Sequence, residues 1–150
     1  MIKKYALVTG ASSGIGLEIS KILASIGFSL VLVARREDKL KEVTKTLINK
    51  YDITADYCVG DLENPNIPQI IYDFCHKKGY FIRLLVNNAG YALPDTFHKT
   101  SMEAEEKFLR VLGVSVIALT KLFLIDMIKA KQGKIMMISS VAAFAPPSSI

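Results

Sequence analysis

The sequence has 150 residues, the usual size of one domain with one core. With 51% hydrophobic and 22% charged residues, the composition is that of a globular chain and suits strands buried on both faces or a surface that pairs with another chain. The net charge is +5, but the basic residues are spread along helical stretches without clustered aromatics. Nucleic-acid binding is therefore not expected, and a polyanionic cofactor is the simpler account of the charge.

Tyr5–Val8 is a short apolar run ending in Thr-Gly, the pattern of a buried parallel strand. After a glycine-rich turn, Ile15, Ile19, Ile22, Leu23 and Ile26 recur at helical spacing, and Gly27 closes a first helix. Ser29–Ala34 is a second apolar run, and Glu37 to Lys50 a charged helix with Leu40, Val43 and Leu47 inward. Ile53–Val59 reads as a third strand, ending at Gly60-Asp61. Pro65 and Pro68 lead into a helix through about Lys78, stopped by Gly79. Phe81–Val86 is a fourth strand, running into Asn87-Asn88-Ala89-Gly90. A long helix is expected from about Ser101 to Lys131, and Lys134–Ile138 is a fifth strand. This alternation predicts an α/β fold, a doubly wound parallel sheet of Rossmann type, as one domain over 1–150. Ligands of such sheets bind outside the carboxyl ends of the strands, and every motif below falls at one of those ends.

Cys58 and Cys75 fall in a strand and a helix without metal spacing, and read as small buried hydrophobes in a reducing compartment. The run from Met1 straight into a strand leaves no room for a signal peptide, so a cytoplasmic protein is expected. The most apolar later stretch, Val114 to Ile128, is interrupted by Lys121 and Asp126 and reads as too short to span a bilayer, so no membrane partner is expected. His76 and His98 have no acidic or cysteine partner at ligand spacing and read as solvated, with no metal site.

The first turn carries Gly10, Gly14 and Gly16, with Ile15 between the last two. Glycine tolerates the backbone angles of a tight strand-to-helix turn and lets the main chain approach a pyrophosphate. The following helix N-terminus offers free N–H groups and a positive dipole, and Ser12 and Ser13 add hydroxyls. An ordinary glycine-rich turn is the alternative, weakened by the turn's place between one strand and one helix.

Thr9-Gly10-x-x-x-Gly14-x-Gly16 resembles the short-chain dehydrogenase/reductase family, and the resemblance persists along the chain. Asp61-Leu62 matches that family's adenine-contacting position, and Asn87-Asn88-Ala89-Gly90 its NNAG motif. Ile138-Ser139-Ser140 matches the segment bearing its catalytic serine. The resemblance implies reversible hydride transfer between a nicotinamide and a small-molecule carbonyl or alcohol. Ser140 would steady the substrate oxygen, with Ser139 the alternative. Asn88 would bridge neighbouring strands while Ala89 and Gly90 leave room for the cofactor. An NAD enzyme would carry an acidic side chain at the end of the second strand, whereas this chain has Ala34-Arg35-Arg36. NADP is therefore expected, with Arg35 first choice for its 2′-phosphate and Arg36 stacking on the adenine or helping. The bland alternative is two exposed basic residues starting a helix.

Two departures from the family pattern stand out. Its Tyr-x-x-x-Lys occurs nowhere in these residues, and the expected tyrosine falls just after Ile150, so the sequence reads as truncated before the active-site helix, in the loop Ala145-Pro-Pro-Ser-Ser-Ile150. Leu112 stands where the family has an asparagine that supports a proton relay. Tyr91 follows the NNAG motif and could border cofactor or substrate. The helix around Val114–Ile128 resembles the family's dimerisation helix, implying a homo-oligomer, although its apolar face could be spent on the sheet. A non-catalytic NADP-binding module is the rival reading, and a sugar-nucleotide epimerase ranks below both.

Overall fold

Residues 3–144 are described by a computed structural model. Their five apolar runs form one parallel sheet of β1 (Tyr5–Thr9), β2 (Ser29–Ala34), β3 (Ala55–Val59), β4 (Ile82–Asn87) and β5 (Lys134–Met137). The strands lie in the order β3-β2-β1-β4-β5. All of β1 and nearly all of β2 are buried, because helices cover both faces of these central strands. Alternation of period two divides their side chains: Ala6, Val8, Leu30 and Leu32 enter one core, Leu7, Val31 and Val33 the other. The order reverses between β1 and β4, which makes the crevice at their carboxyl ends the switch point of the sheet.

The helices are α1 (Gly14–Ser25), α2 (Glu37–Tyr51), α3 (Ile67–Lys77), α4 (Met102–Leu109) and α5 (Ser115–Lys129). The inner face expected for α2 is buried as Leu40, Val43 and Leu47. In α1 only part of the row read from the sequence faces the core: Leu23 is buried and Ile19 packs against the core cluster. Ile15, Ile22 and Ile26 are 62%, 61% and 65% exposed, while Gly16, Ser20, Leu23 and Ala24 are buried. The helix docks through Gly16, Ser20 and Ala24, where the backbone can come closest, and that contact leaves Ile15, Ile22 and Ile26 outward. The Ser20 hydroxyl is satisfied inside this contact by donating to the Gly16 carbonyl at 2.7 Å.

The expected long helix is interrupted. A π-helical segment, Arg110–Val114, joins α4 to α5 and contains Leu112. The whole run Met102–Lys129 is 28 residues and, by length and composition, could cross a membrane. The stretch Val114–Ile128 is one part of this longer run, so its own shortness does not decide whether the helix could span a bilayer. Its inner stripe, Ser115, Leu119, Phe123 and Met127, is buried in the protein core. The segment Ala145–Ile150, which carries the reading of a chain cut before its active-site helix, lies outside the described residues.

Candidate functional site

Thr9 closes β1 and organises the switch point. Its hydroxyl accepts the backbone N–H groups of Asn88 at 2.9 Å and Ala89 at 3.0 Å, and donates to the Val86 carbonyl at 3.3 Å. The Asn88 side-chain amide donates in turn to the Thr9 carbonyl at 2.9 Å. The ends of β1 and β4 are thereby tied by side-chain groups where the sheet ladder stops.

Gly10 and Gly14 have φ of +68° and +56°, left-handed values that favour glycine. A Cβ on Gly10 would also lie 2.8 Å from Asn88 Nδ2 and 2.9 Å from the Ala89 Cα. Gly16 works beneath the turn instead of in the cleft. It packs against the Gly10 carbonyl and Asn88 Nδ2 and does not line the opening, so its role is close docking of α1. Ser13 is the extended N-cap of α1, and its hydroxyl makes no cap bond, so the first amides of the helix stay free to meet a ligand.

A cleft of about 410 Å³ opens over this turn, within the range of small-molecule and cofactor sites. Gly10, Ser12, Ser13, Gly14 and Ile15 form one side, and Arg35 and Arg36 continue from the end of β2. Asp61 and Leu62 after β3, and Asn88, Ala89 and Gly90 after β4, complete it. Twelve of the fourteen residues singled out in the sequence thus meet at one opening; Gly16 and Ser140 do not line it. Ser140 sits past β5, where its hydroxyl accepts the Ala142 N–H at 3.2 Å and caps the short turn Val141–Ala143.

The two arginines diverge. Arg36 Nη2 lies 3.0 Å from Ser13 Oγ and 3.4 Å from Ser12 Oγ, over the start of α1. Arg35 Nη1 lies 3.8 Å from carboxylate oxygens of both Asp61 and Glu63. Sequence reasoning missed Thr9, Glu63 and the cleft residue Val111. The Thr-Gly step at a strand end was the signal for Thr9, whereas nothing local marks Glu63.

Leu112 faces the NNAG turn: a Cβ on Gly90 would lie 2.8 Å from Leu112 Cδ2. Hydrocarbon therefore stands where the family pattern has a hydrogen-bonding amide. Away from the cleft, His76 is not unpaired. Its Nε2 lies 2.8 Å from Asp126 Oδ2, which also accepts the Tyr72 hydroxyl at 3.0 Å. The contact joins α3 to α5 across 50 positions, a separation that no spacing rule addresses. Both cysteines are buried and free. Burial raises each thiol, that of Cys75 to about 12, so neither is a poised nucleophile. Among the described residues no group of three or more metal-ligating side chains occurs.

A model of the short chain dehydrogenase family matches residues 4–150. The chain belongs to that family. It is 36% identical over 146 residues to the fatty acyl-CoA reductase of Acinetobacter baylyi, covering 95% of this chain and 48% of the relative. It is 32% identical over 155 residues to inactive hydroxysteroid dehydrogenase-like protein 1 of Homo sapiens, covering 97% and 46%. The L-sorbose reductase of Gluconobacter frateurii, solved with NADPH and L-sorbose, superposes with a TM-score of 0.93 at 28% identity, over 98% of this chain and 56% of that one. The chain spans about half the length of the curated relatives it matches. Parallel sheet, switch-point cleft and glycine turn thus occur here in a short chain dehydrogenase.

Proposed function

We propose that the cleft holds NADP and that the intact protein is an oxidoreductase interconverting a carbonyl compound and an alcohol. The observation that carries this reading is the Arg36 guanidinium set over Ser12 and Ser13 at the open N-terminus of α1. A 2′-phosphate there meets a cation, two hydroxyls and the positive end of a helix. Nearby carboxylates are engaged elsewhere, Asp61 and Glu63 by Arg35 and Glu37 by Lys41. This reassigns the phosphate from Arg35 to Arg36. When bound, the nicotinamide supplies or accepts the hydride. The glycine turn and α1 seat the pyrophosphate, and Asp61 and Leu62 border the adenine. The Thr9–Asn88 lock holds Ala89 and Gly90 back as the floor. Ser140, at the carboxyl end of β5, donates its hydroxyl to the substrate oxygen; the tyrosine expected beyond Ile150 delivers the proton, its pKa lowered by the expected lysine.

We further propose a cytoplasmic homo-oligomer joined through the exposed face of α5, where Ile117, Leu124, Ile125 and Ile128 stand outward. Lys121 on that face and the paired Asp126 disfavour burial in lipid. A second reading, a non-catalytic NADP-binding protein, is favoured by Leu112 and by similarity to the inactive human relative. NADPH oxidation by the intact protein against a panel of ketones and aldehydes separates the two.

Titration of the intact protein with NADPH and NADH tests the cofactor reading. Arg36→Ala is expected to weaken NADPH by roughly 10- to 100-fold, as loss of a charge-assisted contact does. NADH binding should change by less than about threefold. Equal losses for both nucleotides overturn the assignment.

A further inference from the structure

Arg35 neighbours Arg36 in sequence, but its guanidinium engages a different set of partners. Its Nη1 is 3.8 Å from Asp61 Oδ2 and 3.8 Å from Glu63 Oε1. That same Glu63 oxygen accepts the Tyr91 hydroxyl at 3.3 Å. The Tyr91 ring meets Phe108 of α4 edge-on, with centroids 5.6 Å apart. Asp61 and Glu63 are fixed to each other by a tight turn, in which the Glu63 N–H donates to Asp61 Oδ1 at 3.0 Å. One carboxylate oxygen thus joins the segments that follow β2, β3 and β4. Arg35, Asp61 and Tyr91 line the cleft, while Glu63 does not.

Two carboxylates within 4 Å of the exposed Arg35 guanidinium lower the positive potential there, which makes it a weaker ligand for a phosphate than Arg36. Its flat guanidinium still suits contact with a purine face, where stacking matters more than net charge. Arg36, without such carboxylates, keeps its charge for the phosphate. We infer that Glu63 and Tyr91 are positioning residues, which hold Arg35 along the adenosine side of the cleft and tie that wall to α4. The inference rests on the dinucleotide reading above. It adds two residues with no counterpart in the sequence motifs, and it divides the labour of the arginine pair.

The sign of the effect distinguishes positioning from simple charge. If Glu63 merely lowered the positive potential of the cleft, Glu63→Gln would tighten nucleotide binding, and NADPH more than NADH because it carries more negative charge. As a positioning residue its loss frees Arg35 and weakens both nucleotides alike.

The experiment measures dissociation constants of NADPH and NADH for the intact protein by nicotinamide fluorescence at one fixed ionic strength. Glu63→Gln and Tyr91→Phe are each expected to weaken both nucleotides by a common factor of roughly two to five, the scale of a partly exposed ion pair. Tyr91→Phe removes one oxygen only, so it serves if the glutamate variant fails to fold. In an Arg35→Ala background the same substitutions should have no further effect, which a general structural role would not produce. A selective gain for NADPH, no change, or losses that persist without Arg35 each overturn the inference. Wild-type protein that binds neither nucleotide overturns the dinucleotide reading instead.

Discussion

Thr9→Val replaces one hydroxyl with a methyl of nearly the same size at a position 1% exposed. The Thr9 oxygen accepts two backbone amides, those of Asn88 and Ala89, at 2.9 Å and 3.0 Å. No other acceptor for either amide is present among the described hydrogen bonds. A buried donor left without a partner costs about 1–3 kcal/mol. Asn88 and Ala89 are only partly buried, so the lower half of that range applies to each, giving about 2–4 kcal/mol together. Thr9→Ser keeps the oxygen and loses one methyl, a change of about 1 kcal/mol. Valine should therefore destabilise more than serine, although valine preserves the volume and serine does not. Urea denaturation followed by circular dichroism gives both values, and NADPH titration should show the weaker binding in the valine variant. If Thr9→Val is as stable as Thr9→Ser, the hydroxyl does not hold the two loops together and the account of the switch point is wrong.

The glycines of the turn should separate by surroundings. Gly10→Ala places a Cβ against Asn88 and Ala89 at a left-handed φ, and is expected to cost more than about 2 kcal/mol and to abolish nucleotide binding. Gly14→Ala meets nothing within 4 Å, so only the left-handed backbone opposes it, at about 1 kcal/mol; equal losses at the two positions would contradict this difference in crowding. Acid stability should depend on Asp126. Burial pushes its carboxyl up, but hydrogen bonds from His76 and Tyr72 more than offset this and hold it below the usual range. A carboxyl lowered in the folded state contributes stability that is present above its unfolded value of about 3.9 and lost as pH falls through the lower folded value. Wild type should therefore lose stability more steeply than Asp126→Asn below about pH 4, and parallel curves would remove the α3–α5 contact from the account.

Much of this arrangement was legible in the sequence because it depends on local chemistry. Strand runs, the glycine turn and the motif ends are set by periodicity and by what each backbone angle tolerates, so they came out within a residue or two of the observed bounds. What escaped depends on the third dimension. The apolar row of α1 had helical spacing, but only Ile19 and Leu23 of it pack on the core, while close docking at Gly16 and Ser20 leaves Ile15, Ile22 and Ile26 outward. Arg35 and Arg36 are adjacent and chemically alike, and only the carboxylates brought in from after β3 separate their surroundings. The same holds for His76, whose acidic partner lies 50 residues away on another helix. The π-helical segment at Leu112 left no mark in the hydrophobic pattern, because Val111, Leu112, Val114, Val116 and Ile117 are apolar on nearly every side of the helix and leave no single stripe whose shift could be read.

The long helix is where composition and packing disagree most. Met102–Lys129 has 28 residues, more than the ~20 needed to cross a bilayer. Packing gives it another use: Ser115, Leu119, Phe123 and Met127 recur every fourth residue and are buried in the protein core. The opposite side keeps Ile117, Ile125 and Ile128 at 61%, 53% and 65% exposure, with Lys121 among them. A lysine in the middle of a lipid-facing stripe is expensive, whereas at an interface between copies it can reach water at the edge. Ile125→Glu places a charge on the outer face without touching the buried stripe, so the fold should survive while self-association is lost. Light scattering of the intact protein should give a smaller mass for the variant than for wild type, with unchanged far-UV circular dichroism. If wild type is already monomeric, or the variant keeps the wild-type mass, the proposed interface is not on this face of α5.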